Sequence, residues 1–164
     1  MPFLVIGGHA INALGLSRHT GDLDLLVPLG AKGEWQALLA RLRYTERQSD
    51  NFFSRFVPNE IAAWPIDLMY VDEATFKKLQ AGAVLKDFGL VTVPVVAAKH
   101  LAILKLHAMK YFQEHRFAKD YGDLLFLLKL PEGRMTREEL EANCLKYASP
   151  EILSRLLADL KGIL

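Results

Sequence analysis

The sequence lacks the material for a disulfide framework, a cysteine-based zinc site or a membrane anchor. Its 164 residues include one cysteine, Cys144, which excludes an internal disulfide and a cysteine zinc site. No segment reaches the roughly 18 consecutive apolar residues of a membrane span. The start, MPFLVIGG, has neither the basic region nor the long apolar run of a signal peptide. We therefore expect a cytoplasmic protein with no membrane partner.

An excess of charge of one sign is also absent. Twenty Lys and Arg residues face 19 Asp and Glu residues, for a formal net charge of +1. This balance gives no electrostatic case for a dedicated nucleic-acid binder, although it is compatible with a local basic face. His100, His107 and His115 follow helical spacings and give no zinc pattern. The apolar fraction of 51% and the charged fraction of 24% are typical of a globular protein.

Strand and helix patterns are mixed in the first part of the chain, and only helical patterns follow. The apolar periodicities and the Gly and Pro punctuation predict strands over residues 3–6, 21–28, 51–57 and 61–71, a ribbon over 83–94, and helices over 9–16, 33–44 and 73–82. Further helices are predicted over residues 95–112, 117–130, 136–148 and 150–163. This order indicates an α+β fold with a core at residues 1–94 and a helical part at 95–164, packed together as one compact unit.

Carboxylates inside apolar strands are the first sign of chemistry. In GDLDLLVP, Asp22 and Asp24 are two residues apart, so they project from the same face of a strand. Asp67 lies in a second apolar strand, WPIDLMYV, and would complete a group of three if the two strands were neighbours. Such oxygen ligands suit Mg²⁺ or Mn²⁺, and the third carboxylate could be a ligand or a base. A loop cap and a surface salt bridge are the alternative reading of a lone Asp-x-Asp pattern.

A double glycine strengthens the catalytic reading. Gly7 and Gly8 lie between a predicted strand and a predicted helix, where main-chain N–H groups can converge on a phosphate. Arg18 and Thr20 precede the second strand and could reach the same phosphate, or could form a loop salt bridge and a turn hydroxyl contact. His9 at the helix start could touch a ligand.

These residues resemble the nucleotidyltransferase fold shared with DNA polymerase beta, and within it the AbiEii family. That family includes toxins of toxin–antitoxin pairs and the related MenT enzymes. The resemblance covers roughly the first four fifths of the chain, with the elements in the family's order. The matching residues are Gly7-Gly8-His9-Ala10, RHTGDLD at residues 18–24, Asp67, and LKLHAMKYFQEHRFAKDYGDLLFLL at residues 104–128.

The resemblance implies a mixed sheet with flanking helices, followed by a C-terminal helical bundle. It implies that Asp22, Asp24 and Asp67 are catalytic and hold Mg²⁺ or Mn²⁺, and that Lys105 and Asp120 are also catalytic. The nucleotide would be bound by Gly7, Gly8, His9, Arg18, Thr20 and Lys105, with Lys105 on a phosphate. One departure is Gly8, because many nucleotidyltransferases carry Gly-Ser at this turn.

The implied function is metal-dependent transfer of an NMP from an NTP to an acceptor hydroxyl. By resemblance, the acceptor would be RNA such as tRNA, or protein, and the chain would be a toxin with an antitoxin partner. The opening GGHAINALGLSRHTGDLDLLV also resembles lincosamide and aminoglycoside nucleotidyltransferases, so an antibiotic acceptor is an alternative. A non-catalytic nucleotide-binding module on the same fold is a further alternative.

Overall fold

A computed structural model describes residues 1–61, 63–110 and 114–162, and only the main chain of residues 114 and 115. The chain divides into two units, residues 1–96 and residues 97–164. The first unit contains the sheet and the second contains only helical elements in its described part. This arrangement confirms the predicted α+β class, whereas the predicted packing of the two parts as one unit stays a prediction.

Seven strands form one mixed sheet in the order β3-β4-β5-β2-β1-β7-β6. The strand β2 pairs parallel with β5, and β1 pairs parallel with β7, while the other neighbours are antiparallel. The strands are β1 (Leu4–Val5), β2 (Leu23–Pro28), β3 (Tyr44–Ser49), β4 (Phe53–Pro58), β5 (Ile66–Val71), β6 (Val84–Asp87) and β7 (Thr92–Val95).

The central position of β2 follows from its sequence. Leu25, Leu26 and Val27 are all buried, as expected for a continuous apolar run with neighbours on both sides. The flanking helices of this unit are α1 (Gly7–Ala13), α2 (Lys32–Arg41) and α3 (Glu73–Ala81). Helix α3 packs against β2, and its N-cap Asp72 accepts a hydrogen bond from the Thr75 N–H at 2.9 Å.

The strand β3 was not predicted from the sequence. The helix predicted over 33–44 ends at Arg41, and the polar segment YTERQS then pairs antiparallel with β4. This strand is at the edge of the sheet and its last four residues are exposed, so it carries little of the apolar alternation that identifies strands. The hairpin predicted from the next two strands is confirmed as β4 and β5, with β5 starting at Ile66.

The second unit contains α4 (Ala98–Met109), α5 (Glu114–Lys129), α6 (Arg137–Tyr147) and α7 (Pro150–Asp159). Thr136 and Glu139 form a reciprocal capping box at the start of α6, with bonds of 3.2 and 3.0 Å. Ser149 caps α7 by accepting a bond from the Ile152 N–H, and Pro150 occupies its first turn. The end of the helix predicted over 95–112 lies in part outside the described residues. No helix in the described part is long and apolar enough to span a membrane.

The buried Cys144 provides a test of the packing of the helical unit. Its side chain has no solvent exposure, and burial raises the pKa of its thiol to about 11. We expect no reaction of the native protein with Ellman's reagent at pH 8, because the thiol is both protonated and enclosed. The unfolded protein should release one equivalent of dye per chain. Rapid labelling of the native protein would contradict the packing around α6.

Candidate active site

Three carboxylates converge because β2 and β5 are parallel neighbours. The register of this pair places Asp24 directly opposite Asp67, and Asp22 precedes β2 by one residue. One ligand oxygen from each of the three lies within 4.8 Å of the others. The two strands that carry Asp24 and Asp67 are therefore neighbours, and the three carboxylates form one cluster.

Gly7 leaves the space that Asp24 occupies. The Ile6 N–H donates to the Asp24 carbonyl at 3.0 Å, which ties the end of β1 to β2 just before the turn. Gly7 has a φ of +61°, and a Cβ at this position would overlap the Asp24 carboxylate. A side chain here would strain the main chain and displace the carboxylate. Glycine therefore permits the close approach of the turn to the cluster.

Gly8 leaves space for Thr20 and Arg18. A Cβ on Gly8 would overlap the Thr20 hydroxyl and would lie 2.6 Å from the Thr20 Cβ and 3.3 Å from the Arg18 Nη1. The Thr20 hydroxyl also lies 3.3 Å from the Asp22 Oδ1 and 3.4 Å from the Asp22 carbonyl. A hydroxyl therefore stands beside the turn although residue 8 is not serine.

Asn12 fixes the loop that carries Arg18. The Asn12 side chain donates to the Arg18 carbonyl at 2.9 Å and accepts from the Arg18 N–H at 3.1 Å. The Arg18 guanidinium donates to the His19 carbonyl at 3.2 Å. The sequence analysis did not identify Asn12, because a single amide in a short helix forms no pattern that indicates a role.

Arg55 is a cation at the cluster that sequence reasoning also missed. It lies opposite Asp67 in the antiparallel pairing of β4 and β5, and its Nη1 is 3.1 Å from the Asp67 Oδ2. The Asp67 side chain is 11% exposed and that of Arg55 is 40% exposed, so the bond is only partly screened by water. Arg55 therefore offsets part of the repulsion among the three carboxylates.

His9 lies beside this cluster and packs against Trp64. The two ring centroids are 4.5 Å apart with a tilt of 35°. Burial lowers the pKa of His9, with Asp22 opposing the shift and Arg18 adding to it, so the imidazole is mainly neutral at pH 7. Trp64 was not among the predicted site residues, because a tryptophan just before an apolar strand is typical of a core residue.

The chemistry of the donor set fits a hard divalent cation. Three carboxylates within 4.8 Å provide oxygen ligands only, which is the preference of Mg²⁺ and Mn²⁺. The N-cap residue of α1 is Ile6, which offers no side-chain cap to the first turn, and this turn lies next to the cluster. The residues present could therefore hold a metal ion and an anionic group side by side.

Lys105 and Asp120 lie in the helical unit, where they form a buried ionic cluster with Asp123. The Lys105 Nζ is 2.7 Å from the Asp120 Oδ1 and 2.7 Å from the Asp123 Oδ2. All three side chains are at most 10% exposed, and Arg116 approaches Asp120 at 3.9 Å. This pairing joins α4 to α5. The roles of Lys105 on a phosphate and of Asp120 in catalysis stay predictions.

The fold of the chain is similar to those of solved nucleotidyltransferases. The lincosamide antibiotic adenylyltransferase LnuA, solved with lincomycin, is 12% identical with a TM-score of 0.55 over 77% of this chain and 85% of that one. A nucleotidyltransferase-like protein from Paracoccidioides brasiliensis is 15% identical with a TM-score of 0.61 over 98% and 82%. The antibiotic-resistance factor ANT(2'')-Ia is 16% identical with a TM-score of 0.56 over 99% and 83%.

These likenesses establish the fold and nothing finer. No family model matches the sequence, and no curated protein matches it. The chain has the nucleotidyltransferase fold, with an acidic cluster on neighbouring strands beside a glycine turn. The predicted fold is thereby confirmed, whereas membership of the AbiEii family stays a prediction.

The contact between Gly8 and Thr20 is testable by a double-mutant cycle. Gly8→Ala should lower the free energy of unfolding by about 1–3 kcal/mol, because the added methyl overlaps Thr20. In a Thr20→Gly background the same change should cost much less, since the obstructing atoms are gone. Gly33→Ala in α2 is the control, because its Cβ would meet nothing within 4 Å. Equal costs in both backgrounds, measured by urea unfolding, would contradict the contact.

The buried ionic cluster predicts a large difference between two lysines of α4. Lys105→Ala removes the ammonium group that contacts both buried carboxylates, and should destabilise the protein by about 3–5 kcal/mol. Lys99→Ala breaks a bond of the same 2.7 Å length to Glu139, but those side chains are 38% and 44% exposed. Its cost should stay below about 1 kcal/mol. A loss below about 1 kcal/mol for Lys105→Ala as well would show that the cluster does not stabilise the fold.

Proposed function

We propose that this chain is a metal-dependent nucleotidyltransferase that moves an NMP from an NTP to an acceptor hydroxyl. The observation that carries the proposal is the convergence of Asp22, Asp24 and Asp67 beside the Gly7-Gly8 turn. The similar solved structures named above, which include two antibiotic-modifying proteins, support the same class of reaction.

In this proposal Asp22, Asp24 and Asp67 hold Mg²⁺ or Mn²⁺. When bound, the ion neutralises charge on the transferred phosphoryl group and lowers the pKa of the attacking hydroxyl. The hydroxyl oxygen would bond to the α-phosphorus as the bond to pyrophosphate breaks, and Asp67 would accept the proton of the hydroxyl. Arg55 holds the Asp67 carboxylate in position through its 3.1 Å contact.

The phosphates would lie at the Gly7-Gly8 turn. In this proposal the main-chain N–H groups of the turn, the guanidinium of Arg18 and the hydroxyl of Thr20 would donate to them, since Arg18 and Thr20 both lie against Gly8. Asn12 holds the main chain at Arg18 through two hydrogen bonds, which would limit the reorganisation of this loop when phosphates bind. His9 adjoins the same turn and contributes a ring face to the nucleotide site.

We also propose that Lys105 and Asp120 act on the nucleotide in addition to forming their ion pair. Their position in the late AbiEii motif supports a contact of Lys105 with a phosphate and a catalytic task for Asp120. Their mutual bond of 2.7 Å means that Lys105 could bind a phosphate only by sharing its ammonium donors with two carboxylates.

Two acceptor classes are supported by different observations. The resemblance to AbiEii and MenT proteins favours RNA such as tRNA, or protein, and would make the chain a toxin with an antitoxin partner. The solved structures of LnuA and ANT(2'')-Ia favour an antibiotic hydroxyl. Both acceptors use the same carboxylates, so the class of acceptor must be read from the labelled product.

Transfer of a labelled nucleotide tests the reaction. We expect purified protein, Mg²⁺ or Mn²⁺ and each α-labelled NTP to label either total tRNA, the protein itself, or lincomycin and aminoglycosides. Asp24→Asn should reduce this labelling at least about 100-fold, because it removes one charge from the cluster. Glu34→Gln, an exposed change on α2, is the control and should leave labelling unchanged.

The same experiment separates catalysis from binding alone. Labelling that persists in Asp24→Asn would disprove the role of the cluster. Metal-dependent NTP binding by calorimetry with no labelled acceptor in any class would indicate a non-catalytic nucleotide-binding module on this fold.

A further inference from the structure

We infer that Trp64, packed on His9, is a stacking surface for a nucleobase at the edge of the carboxylate cluster. The inference rests on the proposed function, because it names how the same site recognises one of its ligands. Its basis is the contact of a half-exposed indole with His9, the residue that follows the Gly7-Gly8 turn.

Hydrogen bonds hold the main chain around Trp64, at the segment that leads into β5. The Trp64 carbonyl accepts a hydrogen bond from the Tyr44 hydroxyl at 3.1 Å, and the Pro65 carbonyl accepts one from the Leu23 N–H at 2.9 Å. Leu23 lies between Asp22 and Asp24, and Asp67 follows Trp64 by three residues. The main chain at Trp64 and Pro65 is therefore tied to β3 and to the first residue of β2, which is the strand that carries Asp24.

The two tryptophans of the chain differ in solvent exposure. Trp35 is 7% exposed and makes an edge contact with Phe3 in the core, whereas Trp64 is 53% exposed. The contact with His9, at 4.5 Å between centroids, covers part of Trp64 and leaves the rest of the ring accessible. Such a ring is available to a flat ligand without any rearrangement of the core.

A nucleobase is the ligand that fits this position. His9 packs on Trp64 and directly follows Gly8, so the ring pair lies near the turn proposed to bind the phosphates. Every base presents a π face, and stacking on an aromatic side chain tolerates all of them. Two sources are compatible with the position: the base of the bound NTP, or an unpaired terminal base of an RNA acceptor.

Tryptophan fluorescence tests the contact directly. Trp64→Phe removes the exposed indole and keeps Trp35, so the difference between wild type and this variant reports on Trp64 alone. We expect Mg²⁺ with ATP, GTP, CTP or UTP, or a short single-stranded oligoribonucleotide, to quench this difference signal. Inorganic tripolyphosphate has no base, and it should bind without quenching it.

Affinity measurements by calorimetry complete the test. Trp64→Ala should weaken binding of the base-containing ligand on the order of tenfold, whereas Trp64→Phe should retain most of the affinity. Tripolyphosphate should bind wild type and Trp64→Ala equally. The control is Phe52→Ala: Phe52 is 75% exposed, and its carbonyl accepts from the Tyr70 N–H at the opposite end of β5. That change should leave all affinities unchanged.

The outcomes distinguish the two proposals. A loss confined to the NTP, or one confined to the oligoribonucleotide, supports the inference and identifies the source of the base. Unchanged affinity of Trp64→Ala for both ligands overturns it, even where metal-dependent NTP binding upholds the proposed function. Quenching by lincomycin or an aminoglycoside but by no nucleotide also overturns it. Absence of metal-dependent NTP binding in wild type overturns the proposed function and this inference together.

Discussion

The parallel pairing of β2 with β5 is the constraint on which the site depends. The register of this pair places Asp24 opposite Asp67. The register is held by main-chain hydrogen bonds, which do not depend on the charge of the side chains. The carboxylates therefore stay close although they repel one another. Two other features accommodate this arrangement: Gly7 leaves room for the Asp24 carboxylate, and Arg55 supplies a nearby positive charge.

The side of the site that contains the Gly7-Gly8 turn is built around small residues. Gly8 is in direct contact with Thr20, and Asn12 holds the loop that presents Arg18. The turn of this chain contains no serine, and the Thr20 hydroxyl lies beside it from the loop that precedes β2. A hydroxyl group therefore lies next to the turn, although it belongs to residue 20 and not to residue 8.

Much of the fold and the acidic cluster could be predicted from sequence because their signals are local. Apolar runs ending at glycine or proline identify β1 and β2, and alternation along β2 places Asp22 and Asp24 on one face. Whether Asp67 joins Asp22 and Asp24 could not be predicted from these local patterns, because they do not reveal which strands are neighbours. Resemblance to a known fold supplied that missing order.

The remaining features depend on tertiary contacts that leave no local pattern. The strand β3 is polar and exposed at the sheet edge, so its periodicity is weak. Arg55 and Trp64 acquire meaning only when β4 and the segment before β5 pack beside the cluster. Lys105 stands in an apolar helix, and the sequence could not reveal that Asp120 and Asp123 both bind its ammonium group.

The contact of Arg55 with Asp67 has a consequence for how the protein matures. Because a guanidinium of the chain itself already balances one of the three negative charges, β4, β5 and β2 can assemble before any ion arrives. Folding would then not require a metal, unlike in small domains whose structure forms only around their metal. A cation bound by the three carboxylates would enter a site that is already assembled, and it would share Asp67 with Arg55.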